Sequence, residues 1–233
     1  VTVNPVNDDP TLDALSDINI NEDAGEQTVN LTGIATGGSE VQQLRVTATS
    51  DNTGLIPDPT VTYSSADPTG TLAFTPAEHE FGTATVTVTV EDGGLDNNLA
   101  TPGDNATTTQ TFDVTVNPVN DDPTLDAISD ININEDAGEQ TVNLTGIATG
   151  GSEVQQLRVT ATSDNTGLIP DPTVTYSSAD PTGTLTFTPA ADQFGTATIT
   201  VTVEDGGLDN NLATPGDNAT IVPTFAVTVA PVK

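Results

Sequence analysis

The sequence predicts an all-β protein built as two tandem Greek-key β-sandwiches of about seven strands each. Three observations predict it. Residue n and residue n+113 match almost throughout, from Val1/Val114 to Val119/Val232, so the chain is two copies of one unit. Segment after segment alternates apolar and polar residues with period 2, and no helical period of 3.6 is present. Clusters of Gly, Pro, Asp and Asn separate these segments at short intervals, which is turn chemistry.

Taken in order, Leu12 to Ile20 alternates weakly and reads as an edge strand, interrupted by Asn21–Glu26 and resumed at Gln27–Thr32. Ala35–Glu40 reads as a turn. Val41 to Thr49 follows as a half-buried strand with Leu44, Val46 and Ala48 inward. Short strands are expected at Thr60–Tyr63 and Thr71–Thr75, on either side of the Asp67–Gly70 turn. Thr83–Val90 is the cleanest strand, with Ala84, Val86, Val88 and Val90 on one face and threonines on the other. The β-branched threonines suit a pleated outer surface. An acidic glycine loop, Glu91–Asn98, leads to the last strand, Ala106–Val116. The second copy repeats this order.

The two copies are joined by Asn117–Pro123, whose Asn120, Asp121 and Asp122 stand before a proline. The expected domains are therefore residues 1–116, a linker 117–123, and residues 124–233. Residues 1–10, with Asn7, Asp8 and Asp9 before Pro10, repeat the linker phrase and read as the end of a preceding linker.

Net charge is −31 although only 16% of residues are charged, because Arg45, Arg158 and Lys233 are the only basic side chains apart from one histidine. Nucleic acid is excluded as a partner, since nothing could neutralise its phosphates. Anionic membrane surfaces are disfavoured for the same reason, and no apolar run approaches spanning length. Uncompensated carboxylates oppose compaction, so divalent cations are the natural countercharge. Cysteine is absent, and with it any disulfide or thiolate site. Unit 2 has no histidine, and no phosphate-binding glycine loop precedes a helix, so catalysis has little support and a non-enzyme is expected.

Three phrases carry a resemblance: Phe74-Thr-Pro76 followed by Phe81-Gly82, the strand ending Val88-Thr-Val-Glu-Asp-Gly93, and Val114-Thr-Val-Asn-Pro-Val-Asn-Asp-Asp-Pro123. Together they resemble the cadherin-like, immunoglobulin-like repeats of large bacterial surface and secreted adhesion proteins. The resemblance implies Ca2+ between successive sandwiches, with ligands from the base of one domain, the linker and the top of the next. The matching positions are Glu22 and Glu78 or Glu80 in unit 1, Asn120, Asp121 and Asp122 in the linker, and Asp164 and Asp205 in the top loops of unit 2. Asn7, Asp8, Asp9, Asp51 and Asp92 would form the corresponding half-site at the start of unit 1, and Glu135 repeats Glu22. The linker here reads Asn-Asp-Asp, where animal cadherins have Asp-x-Asn-Asp-Asn.

Calcium chemistry fits this composition, since it accepts six to eight hard oxygens from carboxylates, amides and carbonyls, whereas zinc and copper favour His and Cys. Each group also has a plainer reading: a solvated hinge for the linker acids, a polar bulge for Glu22 and Glu135, and turn chemistry for Asp92 and Asp205. The lone His79 reads as an exposed loop residue, replaced by Asp192 in unit 2. The function expected is a calcium-stiffened extracellular spacer or adhesion module whose partners are neighbouring repeats and a cell-surface protein or glycan. The alternative is a sandwich that itself binds carbohydrate or a like repeat. The base of unit 2 is expected to be a weaker site, because Glu78-His-Glu80 becomes Ala191-Asp-Gln193 and the linker position Asn120 becomes Lys233.

Overall fold

The computed structural model describes residues 4–233, so the first three residues of the expected leading linker lie outside the described residues. The chain divides into two compact units, Val1–Pro118 and Val119–Lys233. Their boundary falls inside the expected linker. Asn120 and the residues after it are tied by hydrogen bonds to the second unit.

Unit 1 contains β1 (Ile18–Asn21), β2 (Gln27–Thr32), β3 (Leu44–Ser50), β4 (Thr60–Thr62), β5 (Thr69–Phe74), β6 (Gly82–Asp92) and β7 (Thr107–Asn117). One sheet has the order β1-β7-β6-β3 and the other β2-β5-β4. The two sheets face each other across one core. Leu31, Leu72 and Phe74 from the smaller sheet meet Val46, Val86, Val88, Phe112 and Val114 from the larger. No helix is present among the described residues, and hence none long and apolar enough to cross a membrane.

Strand β6 shows how the sequence dictates burial. Its inward residues Ala84, Val86, Val88 and Val90 are at most 1% exposed, while the threonines between them lie on the outer face. Period 2 fixes this register, because a slip of one residue would turn every valine outward. The same phase carries Asp92, the next inward position, into the buried row.

The expected first strand is shorter than the sequence suggests. Thr11 makes only an isolated bridge to Ala35, and regular pairing begins at Ile18. β1 then runs parallel to β7, with Ile18 opposite Val114 and Asn21 opposite Asn117. All other pairs in the unit are antiparallel.

Unit 2 repeats the plan with β8 (Ile131–Asn134), β9 (Gln140–Thr145), β10 (Leu157–Ser163), β11 (Thr173–Thr175), β12 (Thr182–Phe187), β13 (Gly195–Asp205), β14 (Thr220–Ile221) and β15 (Thr224–Ala230). Its sheets are β10-β13-β15-β8, with β14 also on β13, and β11-β12-β9. One strand of unit 1, β7, is here two. Pro223 stands where unit 1 has Gln110, and proline has no N–H for the ladder. Only the Val201 amide bonds across that pair, to the Pro223 carbonyl at 2.9 Å.

The direction of β6 sets the geography of each unit. Asp92 at its end lies beside Asn7, where the chain comes in, whereas Gly82 at its start pairs with Val116, where the chain leaves. Eleven residues at the usual rise put about 33 Å between these upper and lower ends.

Candidate functional site

The upper end of unit 1 is organised by Asp92. Its carboxylate is fully buried at the end of the valine row, so every lone pair left unmet would be costly. Oδ1 accepts the Gly94 and Ala106 amides, both at 2.9 Å, and Asn7 Nδ2 at 3.1 Å. Oδ2 accepts Asn7 Nδ2 at 3.2 Å, and Asn7 donates further to the Asp104 carbonyl at 3.0 Å. The Asn7 amide oxygen accepts Gln42 Nε2. Unit 2 repeats this through Asp205, Asn120 and Gln155.

The structure joins Asn7 with Asp92, and Asn120 with Asp205, by hydrogen bonds that occupy these groups. Their arrangement ties the linker to the acidic loop. Asp8 and Asp9, and their counterparts Asp121 and Asp122, follow directly. The Asp9 carbonyl packs over Gly37 (φ 86°) so closely that a Cβ there would stand 2.0 Å from it. Glycine is required at that point by contact and by backbone conformation together.

Two expected members are not at this end. Asp51 accepts the Thr85 amide at 2.7 Å through Oδ1 and donates its own amide to the Thr85 carbonyl at 3.1 Å. Asp164 accepts Thr198 N at 2.7 Å in the same way. Both lie beyond the lower ends of β3 and β10, close to the start of β6 and β13. They belong to neither the Asn7–Asp92 group nor the Asn120–Asp205 group, and the placement of Asp164 in a top loop is corrected. Their local role is to lock the loop after β3 or β10 onto the neighbouring strand.

The lower end holds Glu22, 4% exposed, whose amide donates to the Asn117 carbonyl at 2.9 Å. Glu135 sits equivalently in unit 2, its amide on the Ala230 carbonyl and its Oε1 accepting Val232 N at 2.7 Å. Glu80 is exposed. The residue that reaches its loop is Asp23, which accepts the His79 amide at 2.9 Å and lies 3.5 Å from His79 Nδ1. His79 is exposed, as expected, and has a φ of 57°, matched by Asp192 at 57°. His and Asp are among the residues that tolerate this left-handed conformation.

On the outer face, Arg45 forks onto Glu91 Oε2 while Asn105 Nδ2 donates to Oε1 at 3.0 Å. The Asn105 hydrogen bond first, and then the guanidinium, hold the Glu91 carboxyl below the usual glutamate range. Burial pushes Glu204 upward, yet Asn218 and Arg158 bring it below its ordinary value as well. Each unit's arginine is thereby committed to the sheet surface.

Two residues at the upper end have no place among the expected ligands: Glu40 with Gln42 beside it, repeated as Glu153 and Gln155. Gln42 and Gln155 are each 7% exposed. Counting back in phase from Leu44 gives Gln42 and then Glu40 on the inward face. Val41 between them is 91% exposed. A buried glutamine beside an exposed valine is the inverse of strand patterning, and it is the readable signal.

No family model matches the chain, and no curated protein matches it. Among solved structures it aligns with titin domains Z1Z2 in complex with telethonin, at 12% identity over 98% of this chain and 100% of that one, with a TM-score of 0.37. The human desmocollin-1 ectodomain aligns at 14% identity over 97% of this chain and 42% of that one, TM-score 0.38. Domains 4 and 5 of the S-layer protein SbsC align at 22% identity over 79% and 70%, TM-score 0.33. At these scores the alignments carry no argument, and the β-sandwich assignment rests on the strand order and shared core.

Proposed function

We propose that the chain is a calcium-stiffened extracellular spacer: tandem repeats whose joint is held by Ca2+ between the end of one sandwich and the start of the next. The observation that carries this is the geography of each unit. The chain comes in at one end of β6 and leaves at the other, and each end carries acidic groups next to the joint phrase. Asn120, Asp121 and Asp122 supply the linker, Glu22 and Glu80 the lower end, and Asp205 fixes the linker asparagine. With −31 net charge and three basic side chains, the countercharge has to come from solution.

The test is thermal unfolding in excess chelator and in millimolar calcium. A ligand that binds only the native state stabilises by about 2.7 kcal/mol at a hundredfold excess over Kd. Calcium is expected to raise Tm clearly, and Asp121→Ala with Asp122→Ala to broaden the interdomain distances seen by small-angle scattering while both sandwiches stay folded. Superimposable melting curves with and without calcium would sink this reading.

A further inference from the structure

The sequence holds six Asp–Pro bonds, three in each unit: Asp9–Pro10, Asp58–Pro59 and Asp67–Pro68, repeated as Asp122–Pro123, Asp171–Pro172 and Asp180–Pro181. Such a bond carries its own reactants. The aspartate carboxylate reaches the carbonyl carbon of its own residue through a five-membered ring, and a well-oriented intramolecular nucleophile acts like one at about 10⁵–10⁸ M. The proline nitrogen belongs to a tertiary amide, and it departs as a secondary amine once a proton reaches it.

The three positions differ in what the fold leaves free. At Asp9 and Asp122 the carbonyl under attack is packed against a neighbour: a Cβ on Gly37 would stand 2.0 Å from the first carbonyl oxygen, and one on Gly150 2.1 Å from the second. The departing residues, Pro10 and Pro123, are buried. At Asp58 and Asp171 the nucleophile is occupied, because Oδ1 accepts the Ser50 amide at 2.8 Å or the Ser163 amide at 2.9 Å. Pro59 and Pro172 are buried as well. At Asp67 and Asp180 neither restraint is present. Their carboxylates accept no hydrogen bond from a described residue, and Asp67, Pro68, Asp180 and Pro181 are all exposed. They lie in the turns before β5 and β12. The titratable neighbour is Tyr63, or Tyr176, whose phenol is pushed up by burial first and by the aspartate's charge besides, so it stays neutral in acid.

We propose that Asp67–Pro68 and Asp180–Pro181 are self-cleaving bonds that open in mild acid, while the other four stay closed in the folded chain. A carboxylate oxygen of Asp67 bonds to the Asp67 carbonyl carbon, and the C–N bond to Pro68 breaks. The nitrogen takes a proton and becomes a new N-terminus. Water then opens the cyclic anhydride left on Asp67, restoring the side chain and leaving a C-terminal carboxylate. Nucleophile and proton are both at hand at about pH 4, where an ordinary aspartate is divided between its two forms. Acid also removes negative charge from a chain of −31, so self-repulsion falls and the fold survives. Each cut lies in a turn whose flanking strands are paired, β4 with β5 and β11 with β12, so the nicked sandwich stays assembled. None of the groups assigned to the joint takes part.

The experiment is incubation of the 233-residue chain in excess chelator at about pH 4 and about pH 7, followed by intact mass and size-exclusion chromatography. In acid, residues 1–67, 68–180 and 181–233 are expected by mass, eluting together under native conditions. Both cuts should run at least tenfold faster than scission at the other four bonds. In acid urea, where the packing is gone, all six should open at comparable rates. Asp67→Glu, which would need a six-membered ring, and Pro68→Ala, which removes the tertiary amide, should each abolish the first cut and leave the second unchanged. Both positions are exposed, and the second cut serves as an internal control for folding. Without urea, scission at Asp9, Asp58 or Asp122 as fast as at Asp67 would overturn the proposal. So would intact Asp67–Pro68 and Asp180–Pro181 bonds under conditions where the urea sample cleaves, or a first cut undiminished in Asp67→Glu.

Discussion

Asp92 is a carboxylate in a row of valines, and its cost is met by the amides of Gly94 and Ala106 and by Asn7. Asp92→Ala would leave those donors buried and unmet, for which about 2–4 kcal/mol of destabilisation is expected from urea unfolding. A loss under 1 kcal/mol would show the hub to be dispensable. Ala66 and Ala179 present the opposite case, a residue against its own backbone, with φ of 79° and 77°. A left-handed alanine costs about 1–2 kcal/mol, and glycine returns part of that gain through unfolded-state entropy. Ala66→Gly with Ala179→Gly should therefore raise Tm by a few degrees, a gain checked by calorimetry. Glu91 supplies a pH signature. Its folded-state carboxyl lies below its ordinary value of 4.5, so its contribution is complete at neutral pH and is lost as pH falls through the folded value. Arg45 is about half exposed, which limits the effect to about 0.2–1 kcal/mol. Glu91→Gln should be less stable than the parent near pH 7 and indistinguishable from it in strong acid.

At the scale of elements, Gln110 and Pro223 make a natural experiment in one fold. Gln110 lies within the continuous β7, opposite Val88, while Pro223 parts β14 from β15. Gln110→Pro should remove one ladder bond and lower the stability of unit 1 by about 1–3 kcal/mol, with faster amide exchange at Val90 and Thr108. What was legible follows from the reach of each signal. Period 2 is local, so the Ala84–Val90 row could be read directly, and extending its phase by one step would also have marked Asp92 as buried. Which end of the sandwich a loop belongs to is not local. Asp51 and Asp164 sit in acidic turns like the others, and only the antiparallel run of β3 against β6, or β10 against β13, sends them to the lower end. The parallel partner of β1 was illegible for the same reason, since four residues cannot specify a strand nearly a hundred positions away. Gln42 stands in phase with Leu44 and Val46, so the alternation that turns those two inward also marks the glutamine as buried.

For the whole molecule, self-repulsion is the dominant long-range effect. The Debye length falls from about 30 Å at 0.01 M salt to about 8 Å at physiological ionic strength. In chelator, added sodium chloride should therefore raise Tm, whereas in saturating calcium the same salt should matter much less. A salt response of equal size in both conditions would show that bound ions do not neutralise the chain. The parallel contact of β1 with β7 has a further mechanical consequence. It binds a strand that follows the incoming linker in sequence to the strand that leads out, and its four residue pairs, Ile18–Val114 to Asn21–Asn117, lie side by side along both, as do those of β8 with β15 in unit 2. Tension pulling the two ends apart slides these strands past each other, so the bonds bear the load together and do not peel open one after another. The strand that pairing rules made hardest to read is thus the latch that a stretched unit has to shear before it can unravel.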